Sequence, residues 1–286
     1  MAREWKIHSW RISASAGPIA SELEKTVLPK VAPAPEQTFL ANTVRIEHEP
    51  SGWVLSFHAE DALKQSVDDK NEPVRVALAN KWQADRADVL QDVRKMDYDW
   101  TYTTSYAGRW INKNHPESAM TMIKSDKQLN VELLTDRAIP LVAYHEAPLF
   151  VSELDDTGAS ELTVRVRVTD RTFECPCFFA SPPVRVIELS AVPLALTCGL
   201  VAGYWFVLMR FYLRVDDTVV RIRDVRWYWD DSATSVIRET RWHETSDPGV
   251  VRASGSGDQA ASLMMSMAPT GVVHYAMEES GVPMGI

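Results

Sequence analysis

Alternation of apolar and polar positions with a period of two dominates this chain, and that period marks β-strands. Leu162, Val164, Val166 and Val168 face one way while Thr163, Arg165 and Arg167 face the other, which makes this the clearest strand in the sequence. Thr43-Val44-Arg45-Ile46-Glu47 alternates in the same manner, Glu49-Pro50-Ser51-Gly52 turns, and Trp53-Val54-Leu55-Ser56-Phe57 alternates again. That is a β-hairpin. Residues 206–215 and 219–228 predict two more strands around a tight turn at Asp216-Asp217, and 235–242 a third, giving an antiparallel meander. Trp10 and Ile12 predict a short first strand after an opening tail. Residues 98–104 carry the aromatic and β-branched alternation of a strand packed on at least one face.

Helical signals are fewer. Ser21-Glu22-Leu23-Glu24 has capping-box spacing, and Pro29 limits that helix to about two turns. The two prolines between residues 30 and 35 mark a linker. Val74, Ala77, Leu78 and Trp82 fall at helical spacing, which predicts a helix from Asp61 onward with an interruption near Pro73. Residues 129–150 read as mixed and partly helical, with Pro140 and Pro148 limiting any long helix. From Ser246 on, small and polar residues prevail and periodicity is lost, so 246–286 reads as a poorly ordered tail.

The composition fits this picture. The chain has 286 residues, 45% hydrophobic and 24% charged, enough for a packed core. Its ten tryptophans read as large side chains filling a β-rich core. A net charge of -9 argues against a nucleic-acid binder, because neutralising phosphates takes a basic surface. Three cysteines without framework spacing argue against a disulfide scaffold. All three fall between Thr169 and Gly203, a stretch with clustered prolines and no amphipathic period. Within it begins a run of 21 uncharged residues from Leu189 to Met209, formally long enough for a membrane span. Pro193, the polar surroundings and the strand-like Trp205-Phe206-Val207-Leu208-Met209 weigh against that span.

No catalytic motif stands out. The histidines lack the i, i+4 spacing of helical metal ligands, and Cys175-Pro-Cys177 has one residue between thiols rather than the two to four usual for zinc. No metal or cofactor is expected. There is no nucleophile elbow, phosphate loop or dinucleotide fingerprint. Turn chemistry accounts for most of the neighbouring acids: Asp97 and Asp99, Asp155 and Asp156, Asp216 and Asp217, Asp230 and Asp231. A carboxylate- or metal-dependent hydrolase stays an alternative, since its two acids can be remote in sequence. A membrane-tethered interaction protein is a second one.

Three segments carry a family resemblance. They are Ser56-Phe57 with Asp61-Ala62-Leu63; Tyr98-Asp99-Trp100-Thr101-Tyr102-Thr103-Thr104-Ser105-Tyr106-Ala107-Gly108; and 205–216 with Arg221-Ile222-Arg223-Asp224-Val225-Arg226-Trp227-Tyr228. Together they resemble the TIP-41-like (TIPRL) family of TOR-pathway regulators, with lesser matches at 42–46, Leu149-Phe150, Glu153-Leu154, 162–168 and Arg238-Glu239. The resemblance runs from Trp10 to Trp242, and it implies an α/β fold in the α+β sense: a single domain over 1–245, with antiparallel sheets flanked by helices. It implies a non-enzymatic protein that binds catalytic subunits of type 2A-like serine/threonine phosphatases and modulates their activity or assembly. It also implies a link to a second phosphatase-binding TOR-pathway regulator, and a cytoplasmic and nuclear location.

Carried over by position, the resemblance implies partner contacts at Asp61, Ile222, Asp224, Arg226, Arg238 and Glu239, with the last two lining the same cleft as the others. Alternation puts Ile222, Asp224 and Arg226 on one strand face, an apolar anchor, an acceptor and a bidentate donor suited to a partner's peptide or carboxylate. The same two charges can instead pair with cross-strand neighbours. Tyr98, Asp99, Trp100, Tyr102, Thr103 and Tyr106 read as the structural motif that holds the cleft in place. The pattern departs from the family between Thr169 and Gly203, where residues 169–203 read as an insertion with the character of a translated intron. A second departure is the region after Trp242, where no match is found.

Overall fold

The computed structural model describes residues 2–26, 28, 35–68, 104–114, 122–136, 139, 141–153, 158–169, 203–230, 235–264, 267 and 269–277. It has two antiparallel sheets. The five-stranded sheet has the order β1-β2-β4-β5-β6, from β1 (Ala2–Ile7), β2 (Trp10–Ser15), β4 (Thr43–His48), β5 (Trp53–His58) and β6 (Arg109–Asn112). The eight-stranded sheet has the order β3-β8-β9-β10-β11-β12-β13-β7. Its strands are β3 (Gln37–Thr38), β7 (Met122–Lys124), β8 (Leu141–Glu153), β9 (Gly158–Thr169), β10 (Tyr204–Val215), β11 (Val219–Asp230), β12 (Ile237–Thr245) and β13 (Gly271–Met277). The class is α+β, as the resemblance implied.

The sheets pack face to face, and period-two alternation decides what goes between them. Ile12, Val44, Ile46 and Phe57 from the small sheet meet Val164, Val166, Val207, Met209, Val225 and Trp227 from the large one in a single core. Trp10 inserts between Trp205 and Trp229, with ring centroids at 5.2 and 5.4 Å. Each indole removes roughly 150–250 Å² from water, worth about 4–6 kcal/mol at ~25 cal/mol per Å². The expected core role of the tryptophans holds for these.

Five helices are described: α1 (Glu22–Lys25), α2 (Ala59–Asp68), α3 (Val131–Thr135), α4 (Pro248–Ala253) and α5 (Gly257–Met264). At α1 both halves of the capping box form, although the helix is four residues long. α2 begins at Ala59; its predicted continuation through Val74 and Trp82 lies outside the described residues, as do 98–103 of the aromatic run.

Three expectations need correction. The opening tail is strand β1, paired with β2 along its whole length. Residues 129–150, read as mixed and partly helical, contain α3 as expected, but from Leu141 on they extend as strand β8; Pro148 is accommodated where the register with β9 shifts, a bulge that needs no ladder donor. The supposed tail contains α4, α5 and β13, which pairs with both β12 and β7. Its weak period has a physical reason: Ala260 and Ala261 let α5 lie close against Tyr212, Val220 and Ile222. Large apolar residues would hold the helix off the sheet. Of the uncharged 21-residue run, residues 204–209 form part of β10, and among the described residues no helix is long and apolar enough to cross a membrane.

Candidate functional site

The meander carries a band of charge on the face of the eight-stranded sheet turned away from the small sheet. The loop between β10 and β11 fixes which residues meet. Val215 pairs with Val219, and Asp217 adopts a left-handed conformation (φ 53°) in the three-residue turn between them. That register sets Arg210 opposite Asp224; β11 and β12 in turn set Arg226 opposite Glu239 and Asp224 opposite Arg241. Arg210 donates two parallel hydrogen bonds to Asp224, 2.7 and 2.8 Å. Arg226 donates to Asp224 at 3.3 Å and to Glu239 at 3.2 Å. The remaining Glu239 oxygen lies 2.9 Å from His274 Nε2.

At the other end the band is closed by α5. Asp258, in its first turn, takes two 2.7 Å bonds from Arg165 and one of 2.9 Å from Arg210. Arg165 also reaches Glu146 on β8 at 2.9 Å. The Arg165 hydrogen bonds hold the Asp258 carboxyl below its ordinary range despite partial burial. An unbroken chain of ion pairs, ending in the contact of Glu239 with His274, thus crosses β8 to β13. Apolar cover flanks it: Tyr212, Val220 and Ile222 lie under α4 and α5, while Tyr204, Tyr228 and Ile237 pack near α3 with Leu133 and Leu134.

The predicted contact residues therefore divide. Ile222, Asp224, Arg226 and Glu239 share one face, as alternation required, but Ile222, Asp224 and Glu239 are only 2%, 5% and 4% exposed. Ile222 anchors the chain's own helix α5 rather than open surface. The cross-strand alternative for Asp224 and Arg226 is the one found. Arg238 does not join Glu239 in a common cleft. Neighbours on a strand point to opposite faces, and Arg238 sits on the inward side between Trp227 (5.5 Å to the ring centroid) and Tyr275 (4.3 Å). Burial pulls its guanidinium below the ordinary value. Sequence reasoning missed Arg165, Arg210, Arg241, Asp258 and His274; only the strand register and the packing of α5 bring them together.

Asp61 lies elsewhere. It stands in the first turn of α2, where a carboxylate is favoured by the helix dipole, 3.5 Å from Arg109. Asp61, Lys64, Gln65, Ser105, Tyr106, Ala107, Gly108 and Arg109 line a groove of ≈ 400 Å³. Tyr106, the described member of the aromatic motif, is buried; its hydroxyl donates to the Ser56 carbonyl and accepts from the His58 amide. Gly108 has φ 94°, and a Cβ there would lie 2.7 Å from the Phe57 ring, so only glycine fits. Arg223 and Trp227 donate to the Tyr106 and Ala107 carbonyls from the inward face of β11. The groove and the charged band consequently lie on opposite sides of that strand.

Among the described residues no group of three or more His, Cys, Asp or Glu side chains could hold a metal. Asp217 is a turn residue, as expected of such acids, whereas Asp230 is not: it is buried at the end of strand β11 and accepts from the Tyr228 hydroxyl.

The model of the TIP41-like family matches residues 37–179 and 193–250. The chain belongs to the TIP41-like family. The match breaks only over 180–192, so 169–179 and 193–203 of the stretch read as inserted are matched, and it runs past Trp242, where no match was expected, to residue 250, ending before α5. Among curated members, the chain is 30% identical to a TIP41-like protein of Arabidopsis thaliana over 262 residues, covering 85% of this chain and 78% of that protein. It is 28% identical to the TIP41-like protein of Homo sapiens over 241 residues, covering 83% and 75%. The Type 2A phosphatase activator TIP41 of Saccharomyces cerevisiae is 30% identical over 279 residues, covering 90% and 68%.

Proposed function

We propose that this TIP41-like protein is a non-enzymatic regulator that binds catalytic subunits of type 2A-like serine/threonine phosphatases and modulates their activity or assembly. One observation carries the reading: a family member that aligns with 90% of this chain is named a type 2A phosphatase activator. In this reading the protein acts in TOR signalling in the cytoplasm and nucleus, with a second phosphatase-binding regulator as a further partner.

Geometry favours the Asp61 groove as the docking point. Of the six positions carried over by resemblance, Asp61 is the one whose carboxylate, 23% exposed, borders an open groove. Its partner Arg109 is 61% exposed, so the pair separates at little cost when a basic group of the phosphatase approaches. Asp224 and Glu239 act from below, holding the meander in register.

Co-purification of the full chain with a phosphatase catalytic subunit tests this. Asp61→Lys is expected to weaken capture at least tenfold with an unchanged melting temperature. Unchanged capture moves the interface elsewhere, and no capture by the unaltered chain removes the reading altogether.

A further inference from the structure

One half-buried carboxylate at the β8 end of the sheet stays outside the chain of ion pairs. Glu161 precedes Thr163 by two residues and Arg165 by four on β9, so the three side chains stand in a row on the outward face. The register with β10 sets Glu161 opposite Tyr212 and Thr163 opposite Arg210. With Ser256 and Gly257, where the chain enters α5, these residues line a pocket of ≈ 190 Å³. That is room for about six waters at ~30 Å³ each.

The pocket has acceptors to spare and its donors are committed. Arg165 gives both terminal nitrogens to Asp258 and Glu146, and Arg210 is spent on Asp224 and Asp258. Glu161 takes no hydrogen bond and no ion pair among the described residues. Burial pushes its carboxyl up, and Asp258 and Glu146 push the same way against Arg165 and Arg210. Thr163 is the second unused group. It is only 5% exposed, its hydroxyl has no hydrogen bond among the described residues, and its oxygen opens into the pocket rather than into the sheet. Tyr212 has given its hydroxyl to the Ser254 carbonyl at 2.9 Å, which leaves its ring for apolar contact. Three carboxylates, Glu146, Glu161 and Asp258, thus face two guanidiniums around an opening whose free groups both accept.

We propose that this pocket binds a primary alkylammonium, its ammonium held between the Glu161 carboxylate and the Thr163 hydroxyl and its alkyl chain lying along Tyr212 beside the start of α5. An ammonium carries three donors on a compact charge, so it can serve both acceptors at once, and the bond to Glu161 is charge-assisted. A bare metal ion suits the place less, because among the described residues no acid cluster could hold one. The same group can arrive on a free amine or at the tip of a lysine side chain. The site is separate from the Asp61 groove, on the opposite face of the eight-stranded sheet, and does not depend on what occupies that groove.

The probe is n-butylammonium, titrated into the full chain at constant ionic strength. Saturable one-to-one binding is expected, with the pH midpoint of the Glu161 carboxyl resonance falling as the cation favours its ionised form. Glu161→Gln should weaken binding at least tenfold while the free chain melts at the same temperature or higher, since a half-buried charge without a partner has been removed. Thr163→Val, which keeps the shape and loses the hydroxyl, should weaken binding severalfold. Nα-acetyl-lysine methylamide separates the two sources: affinity equal to that of n-butylammonium assigns the pocket to a protein's lysine, and a loss of tenfold or more assigns it to a free amine. Three results each overturn the site: no saturable binding of n-butylammonium, equal binding to Glu161→Gln, or equal binding of tetramethylammonium, which has the charge but no N–H donor. None of them bears on capture of a phosphatase subunit through Asp61.

Discussion

Strand β11 has two faces with opposite chemistry. Inward, Val225, Trp227 and Trp229 pack among other apolar side chains. Outward, Asp224 and Arg226 belong to a chain of charges, with Ile222 and Tyr228 under helical cover on either side. The inward face is stabilised by area removed from water, so it weakens in proportion to what is removed. The outward face behaves differently. A buried ion pair is worth little against an apolar replacement of both partners, yet removing one partner strands the other charge without solvent.

That contrast can be broken by experiment. The largest effect is expected for Asp224→Ala, which leaves Arg210, with its side chain 11% exposed, without its bidentate partner. Urea unfolding should show a loss of about 3–5 kcal/mol, most of it recovered when Arg210→Met is combined with Asp224→Leu. A single variant as mild as the double would erase the distinction between the faces. On the inward side Trp227→Phe keeps an aromatic ring stacked near Trp110 but opens space and removes the 2.8 Å bond to the Ala107 carbonyl. A graded loss of about 2 kcal/mol is expected, and a collapse of the fold would place that indole among the all-or-none contacts.

The smallest effect sharpens the limits of the band. Asp258 is 58% exposed, so Asp258→Asn should cost less than about 1 kcal/mol at neutral pH. Its sign with pH is fixed. A carboxyl lowered in the folded state by Arg165 contributes fully above the unfolded value near ~4 and loses its contribution as pH falls through the lowered one. Melting temperatures below about pH 4 should therefore fall less steeply in the asparagine variant than in the unaltered chain.

Legibility in the sequence followed the same local-to-distant division. The hairpin of β4 and β5, the capping box at Ser21 and the alternation of β9 are determined by neighbours along the chain, and each could be read directly. The charged band could not. Taking Asp216-Asp217 as a two-residue turn pairs Val215 with Thr218 and sets Arg210 against Arg223; the observed three-residue turn shifts the register by one and brings Arg210 to Asp224. Arg238 and Glu239 illustrate a rule available but not applied, since adjacent strand residues cannot line one cleft. Asp258 was beyond reach because α5 contributes alanines and glycine, a composition indistinguishable from a tail until the sheet beneath is known.

Thr169 and Tyr204 face each other across the final rung of β9 and β10, so the chain leaves the sheet and rejoins it at one spot. For protein engineering this is a port. A reporter or affinity module placed there enters and exits at neighbouring points and pulls neither strand out of register. Closing a loop costs only about 0.6 kcal/mol more for each doubling of its length. The length of polypeptide spanning that rung is thus a quantity that evolution or a designer can vary while both faces of β11 stay as they are.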